Sequence, residues 1–181
     1  MHLRKVWIFI GKFVLVAPPI WILWWSILPG YAWLVGQISG TAIQLFSSAP
    51  VEAMRIVTNE DLFLNAGTSI VFTSDGAEYP FDIASLVGNL PTLIVLLLAT
   101  PGIKVPRLVR GIGIGTMVLA LAHVGFVAGA FVLRNEIQST PEIPTALGYV
   151  LLTLPFALWI VLTQAVGVGT DQADSPATND S

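Results

Sequence analysis

The 181-residue chain contains no cysteine and very few charged residues, and each shortage narrows what the protein can be. Without cysteine there are no disulfides, no thiolate metal ligands and no cysteine nucleophile. Charged residues make up only 10% of the chain, whereas a typical soluble domain carries about 25%. The basic residues are too few to form a nucleic-acid-binding surface, so we expect no nucleic-acid partner. Because 55% of the residues are hydrophobic, we predict that membrane lipid surrounds most of the protein.

Long apolar runs determine the predicted fold class. A helix that crosses a hydrocarbon core of ~30 Å needs roughly 20 apolar residues. Four segments are predicted as crossings, at about residues 6–28, 84–99, 109–133 and 145–168. We therefore predict a membrane protein, mainly α, with four transmembrane helices and a small extracytoplasmic antiparallel β segment between the first and the second. The corresponding regions are residues 1–36 (first transmembrane helix), 37–83 (extracytoplasmic segment), 84–168 (three-helix transmembrane region) and 169–181 (disordered tail).

The distribution of positive charge predicts the orientation. Lys104, Arg107 and Arg110 lie in the predicted loop between the second and third crossings, where no acidic residue balances them. Loops rich in lysine and arginine stay on the cytoplasmic side of a membrane. Arg4 and Lys5 place the amino terminus on the same side. With four crossings, both termini are predicted to be cytoplasmic.

The predicted outer segment has a different texture. Residues 51–82 consist of short β-branched or aromatic runs separated by turn residues, and Asp75-Gly76 is a strong signal for a two-residue hairpin turn. This pattern predicts an antiparallel meander. Some thirty residues cannot bury a core of their own, so the meander must lean on the helix ends or on a partner protein. Residues 36–48 either lie along the outer interface or continue the first helix outward.

Glycines in the third predicted crossing recur at a spacing of four. Gly111 with Gly115, and Gly125 with Gly129, form two small-xxx-small pairs. Such pairs let helix backbones approach closely in lipid, so we predict that all four are helix-packing residues. The glycines at 111, 113 and 115 lack the spacing and the preceding strand of a dinucleotide-binding loop. No cofactor is predicted.

Three polar residues within apolar segments are candidates for function. His123 either takes part in proton transfer or catalysis, or joins helices through hydrogen bonds to Asn89 or Thr153. Lys12 is either a charge on a substrate path or a side chain that extends to the interface. Arg134 is an interfacial anchor or an ion-pair partner of Glu136 or of the acidic meander. We predict no catalytic and no metal residues; acidic turn residues such as Asp75 are interpreted as solvated caps rather than calcium ligands.

One stretch carries a family resemblance. The run Tyr79-Pro80-Phe81-Asp82-Ile83, followed by Gly88-Asn89-Leu90-Pro91 and the leucine-rich segment to Pro101, resembles the small exosortase H-associated membrane proteins. That resemblance implies a companion of an exosortase-like transpeptidase in a bacterial inner membrane, and it supplies no catalytic residue. We therefore expect a non-catalytic partner or accessory subunit of a membrane protein complex. The alternative is an intramembrane enzyme or proton-coupled carrier that uses His123 with Lys12 or Arg134.

Overall fold

A computed structural model describes residues 2–47, 51–59, 65, 67–134 and 142–167. Within them the predicted mainly helical class with a small antiparallel sheet is confirmed. The elements, in chain order, are α1 (His2–Phe46), β1 (Ala53–Thr58), β2 (Thr68–Ser74), β3 (Ala77–Asp82), α2 (Ile83–Leu86), α3 (Asn89–Ala99), α4 (Val105–Val132) and α5 (Glu142–Gly167). The predicted tail at 169–181 and Glu136 lie outside the described residues.

Two of the described helices are long and apolar enough to cross a membrane, α1 from Leu3 to Phe46 and α4 over its whole length. Their outward-facing side chains are largely apolar; Leu15, for example, is 76% exposed, and Met117 is 65% exposed. Such side chains are typical of a surface whose solvent is hydrocarbon. α3 and the segment Gly148–Gln164 of α5 are shorter apolar helices.

α1 is a single helix that extends well beyond the first predicted crossing and contacts the sheet with its last part. Its 45 residues extend about 67 Å at 1.5 Å per residue, roughly twice the thickness of a hydrocarbon core. Residues 36–46 continue the helix without a break, the second of the two arrangements predicted for them. Gly36 and Gly40 make room there for the sheet, because a Cβ on Gly36 would lie 3.1 Å from Met54 Sδ and one on Gly40 would lie 3.5 Å from the Phe72 ring.

The sheet has the order β1-β2-β3, with both pairs antiparallel. Ser74 pairs with Ala77 across the predicted two-residue turn. Asp75 and Gly76 have φ angles of 51° and 72°, the left-handed values that a type I′ turn requires. Ile70 and Phe72 of the central strand are fully buried against the helices. The apolar side chains of the sheet are therefore buried against the helices, because a sheet of this size cannot bury a core of its own.

The second predicted crossing is wrong in one respect: residues 84–99 are not one helix. α2 ends at Leu86, a turn follows at Val87 and Gly88, and α3 begins at Asn89. Gly88 lies against the ring of Trp21, which a Cβ would approach to 3.2 Å. The 11 residues of α3 extend about 16 Å, which is too short to cross a hydrocarbon core alone.

The boundary between the basic loop and the third predicted crossing also differs. α4 begins at Val105 rather than near Val109, because Pro106 is well suited to the first turn of a helix, where amides lack partners. Arg107 and Arg110 consequently lie in the first turns of α4, and only Lys104 remains in the connection, as the residue that precedes the helix. The fourth predicted crossing corresponds to α5, which begins a few residues earlier than expected.

Candidate functional site

Two prolines inside helices leave backbone carbonyls that need hydrogen-bond donors, and one of these carbonyls belongs to the central polar site. Proline has no backbone N–H, so the carbonyl four residues earlier loses its helical hydrogen bond. Pro155 in α5 releases the carbonyl of Leu151 in this way, and Pro29 in α1 releases that of Trp25. An asparagine side chain bonds each of them: Asn89 Nδ2 donates to Leu151 O over 3.2 Å, and Asn65 Nδ2 donates to Trp25 O over 3.0 Å.

From Asn89 the polar site extends through His123 to Tyr31. Asn89 Oδ1 lies 2.9 Å from His123 Nε2, and His123 Nδ1 lies 2.7 Å from the Tyr31 hydroxyl oxygen. His123 is fully buried, and Asn89 is 6% exposed. We call Tyr31, His123, Asn89 and the Leu151 carbonyl the polar cluster. It joins α1, α4, α3 and α5, each of which contributes one group.

The hydrogen-bond directions follow from the fixed acceptor at Leu151. A carbonyl only accepts, so Asn89 must turn its amide nitrogen toward Leu151 and its oxygen toward His123. That oxygen needs a donor, so His123 carries its proton on Nε2. Nδ1 is then the acceptor for the Tyr31 hydroxyl. In this arrangement each of the four groups has a hydrogen-bond partner while the imidazole is neutral.

The polar cluster matches one of the two predicted interpretations of His123. Asn89 is the predicted partner that the structure brings to it, whereas Thr153 bonds the carbonyls of Tyr149 and Val150 in its own helix. Tyr31 is the partner of His123 that the sequence analysis did not identify. The sequence does contain a signal for Asn89 and the Leu151 carbonyl. An asparagine and a mid-helix proline within apolar segments each mark a polar group that needs a partner.

The other two candidate residues lie far from His123. Lys12 is exposed on α1, 19 residues before Tyr31, which is about 28 Å along a helix. Arg134 follows α4, 11 residues or about 16 Å beyond His123. The structure therefore does not gather the three into one site.

Arg134 belongs to an aromatic cluster that fastens the sheet to α4. Its guanidinium carbon lies 4.7 Å from the ring centroid of Phe131 and 5.2 Å from that of Tyr79. It also donates a hydrogen bond of 3.1 Å to the Phe131 carbonyl. Phe131 is fully buried, and its ring lies 5.8 Å from that of Phe72. Arg134 is thus held by cation–π contacts, which neither of its predicted roles included.

An apolar groove of about 320 Å³ lies beside the polar cluster, between α1, α3 and α4. Ile20, Ile27 and Ile94 line it, with Tyr31 and Thr116 among the polar exceptions. Trp24 also lines it, and its buried indole nitrogen finds no acceptor in the part of the chain that the structure describes. An engineered apolar cavity of about half this volume holds benzene, so the groove is large enough for part of a hydrocarbon chain.

The four predicted packing glycines divide into two pairs. A Cβ on Gly111 would meet Leu97 at 3.9 Å, and one on Gly115 would collide with Leu93 and lie 3.3 Å from Leu162 Cδ1. This pair packs against α3 and α5. Gly125 and Gly129 face open space, with no described atom within 4 Å of an added Cβ.

Leucine substitutions distinguish the two pairs. We expect Gly115→Leu to lower the free energy of unfolding by about 1–3 kcal/mol, because it overfills the contact with Leu93 and Leu162. Gly125→Leu, the matched control, should be neutral or stabilise by up to about 1 kcal/mol, since leucine is the better helix former. Unfolding of the purified protein in detergent measures both. Equal losses would contradict the open surroundings of Gly125.

No group of three or more histidine, aspartate or glutamate side chains is placed to hold a metal ion among the described residues. Comparisons with protein-family models, with curated proteins and with solved structures find no match for this chain.

Proposed function

We propose that this chain is a small integral membrane protein that crosses the membrane four times, with α2 and α3 together forming the second crossing, and acts as a non-catalytic partner in a membrane protein complex. The polar cluster is the observation that carries the proposal. His123, the most obvious candidate for chemistry, is fully buried, and both of its ring nitrogens are engaged in joining helices. The surfaces of the protein are instead suited to association with a partner. They comprise apolar helix faces, the open glycine pair Gly125 and Gly129 on α4, and the sheet.

Charge segregation supports the orientation in this proposal. The ring centroids of Phe9 in α1 and Trp159 in α5 lie 5.9 Å apart. The Trp159 indole N–H donates a hydrogen bond of 2.8 Å to Thr100 Oγ1. These contacts bring the start of α1 to the α3–α4 connection. Basic residues therefore collect at one end of the bundle: Arg4, Lys5, Lys104, Arg107 and Arg110. That end is cytoplasmic by the positive-inside rule, and the sheet lies outside.

The orientation can be tested with single cysteines, because the chain has none of its own. We expect a membrane-impermeant thiol reagent added to intact cells to label Ala77→Cys in the sheet and to leave Lys104→Cys unlabelled until the membrane is opened. Both positions are exposed on the protein, so accessibility depends on the side of the membrane. The reverse pattern would overturn the orientation, and labelling of both would overturn the membrane topology.

The partner that we propose is an exosortase-like transpeptidase of a bacterial inner membrane. Support comes from the resemblance of residues 79–101 to exosortase-associated proteins. In the structure, this stretch contains Tyr79, which lies beneath Arg134, and Asn89, which lies in the polar cluster. Tyr79 joins the sheet to α4, and Asn89 joins α3 to α4 and α5.

Copurification from native membranes in mild detergent tests the partnership. We expect a transpeptidase of that type to copurify in a stoichiometric amount. Less of the transpeptidase should copurify with the Gly125→Leu variant, because the leucine side chain fills the open face of α4. A monodisperse monomer with no associated chain would overturn the proposal. Loss of a cellular enzymatic or transport activity in His123→Gln, with the complex intact, would favour the enzyme or carrier alternative.

A further inference from the structure

Pro18, Pro19, Pro29 and Pro155 create four backbone acceptors in α1 and α5, and side chains in the described part of the chain donate to only two of them. Pro29 and Pro155 release the carbonyls of Trp25 and Leu151, which asparagine side chains bond. Pro18 and Pro19 release the carbonyls of Val14 and Leu15 by the same chemistry. No side chain in the described part of the chain donates to either oxygen.

The residues that carry these two carbonyls lie on an exposed face of α1. The side chains of Val14 and Leu15 are 65% and 76% exposed, whereas Phe9 and Phe13 turn toward each other and Phe9 toward Trp159. Val14 is ten residues beyond Arg4, about 15 Å along the helix. That distance is half the thickness of a hydrocarbon core of about 30 Å, so in the topology proposed above the carbonyls lie near its middle.

At this depth neither water nor a lipid chain can donate a hydrogen bond, so a side chain of a neighbouring helix is the outside group that can bond a carbonyl released by proline. We propose that the α1 face at Val14 and Leu15 is a docking site for a transmembrane helix of another protein, whose hydroxyl or amide side chains donate to these two carbonyls. The inference rests on the proposed function and deepens it by naming the contact surface and the chemistry of the partner.

The α1 helix of a second copy of this chain is a poor occupant of that site. Residues 7–21 of α1 contain no serine, threonine, asparagine or glutamine. Two α1 helices packed side by side in the same direction would therefore present no hydroxyl or amide donor at the required depth. Side-chain hydroxyls and amides are the groups that join helices across lipid, so the partner must bring its own.

Photocrosslinking in native membranes tests the site, with p-benzoylphenylalanine in place of Leu15 as the probe and in place of Phe156, on α5, as the control position. We expect the Leu15 probe to join another membrane protein through a helix that contains serine, threonine, asparagine or glutamine at the joined segment. The double variant Pro18→Ala with Pro19→Ala should reduce this adduct about tenfold, because each restored N–H occupies the carbonyl that the partner uses. These substitutions favour helix formation, so a lost adduct does not reflect unfolding.

Pro29→Ala is the matched control, since it alters a carbonyl that Asn65 bonds within the chain. The adduct should persist in that variant. An adduct of twice the chain's own mass, an adduct with lipid alone, no protein adduct, or one indifferent to Pro18→Ala with Pro19→Ala would each overturn the docking site. If the partner still copurifies in those cases, only the docking site fails; if nothing copurifies, the proposed function fails as well.

Discussion

Asn89→Leu is expected to lower the free energy of unfolding by about 2–6 kcal/mol, because it removes the partner of two buried polar groups. Leucine has the same branched shape but leaves the Leu151 carbonyl and the His123 Nε2–H group buried without partners. Each such group costs about 1–3 kcal/mol. Equilibrium unfolding in detergent micelles measures the loss. Thr163→Val is the control, because the Thr163 hydroxyl bonds only carbonyls of its own helix, and we expect a change below about 0.5 kcal/mol.

A second substitution separates the two halves of this effect. Pro155→Ala restores an N–H group that can bond the Leu151 carbonyl within α5. In that background, Asn89→Leu should cost about half as much, since only the histidine proton remains unpaired. The difference between the two backgrounds is the coupling energy of a double-mutant cycle. An identical cost in both would show that Asn89 does not serve the proline-released carbonyl.

Phe131→Ala is expected to lower the free energy of unfolding by about 3–5 kcal/mol, the usual range for a buried phenylalanine. Its ring lies 5.3 Å from that of Tyr79 and 5.8 Å from that of Phe72, and it supports the Arg134 guanidinium. The loss should fall mainly on the attachment of the sheet. We therefore expect faster tryptic cleavage after Arg55, an exposed residue of β1.

Leu133→Ala, two residues further on, is the control for this prediction because its side chain is 47% exposed. It should leave both the unfolding free energy and the cleavage rate close to those of the unmodified protein. If Phe131→Ala destabilises the protein while cleavage after Arg55 is unchanged, the sheet is held by α1 alone. Contacts of Gly36 and Gly40 would then be the ones that matter.

Local patterns predicted much of this fold, and the failures have a common cause. The hairpin at Asp75-Gly76 is encoded by two adjacent residues, so the sequence alone identifies it. At the break at Val87–Gly88, Gly88 lies against Trp21, which is distant in the chain, and apolar composition gives no sign of this contact. Helix periodicity likewise found the α4 glycines but could not tell which pair faces a neighbour.

The same distinction applies to the polar cluster. A histidine within an apolar segment was visible as a residue that needs partners, and Asn89 was one of two candidates. Tyr31 was not, because a tyrosine near a helix end is equally typical of a membrane interface. Proline positions carried the missing information: Pro155 identifies the Leu151 carbonyl as an acceptor before any fold is known. The groove, by contrast, arises from three helices together and has no local signature.

The order of the polar cluster along the chain has a consequence for biogenesis. Tyr31, Asn89 and His123 all precede Leu151, so a ribosome delivers the first three to the membrane before their final acceptor exists. Until α5 is inserted, one N–H group of the Asn89 amide lacks its acceptor, so another polar helix could accept that hydrogen bond instead. A nascent chain paused before α5 would therefore be more prone to mispairing, and to quality-control proteases that remove such intermediates, than the completed protein.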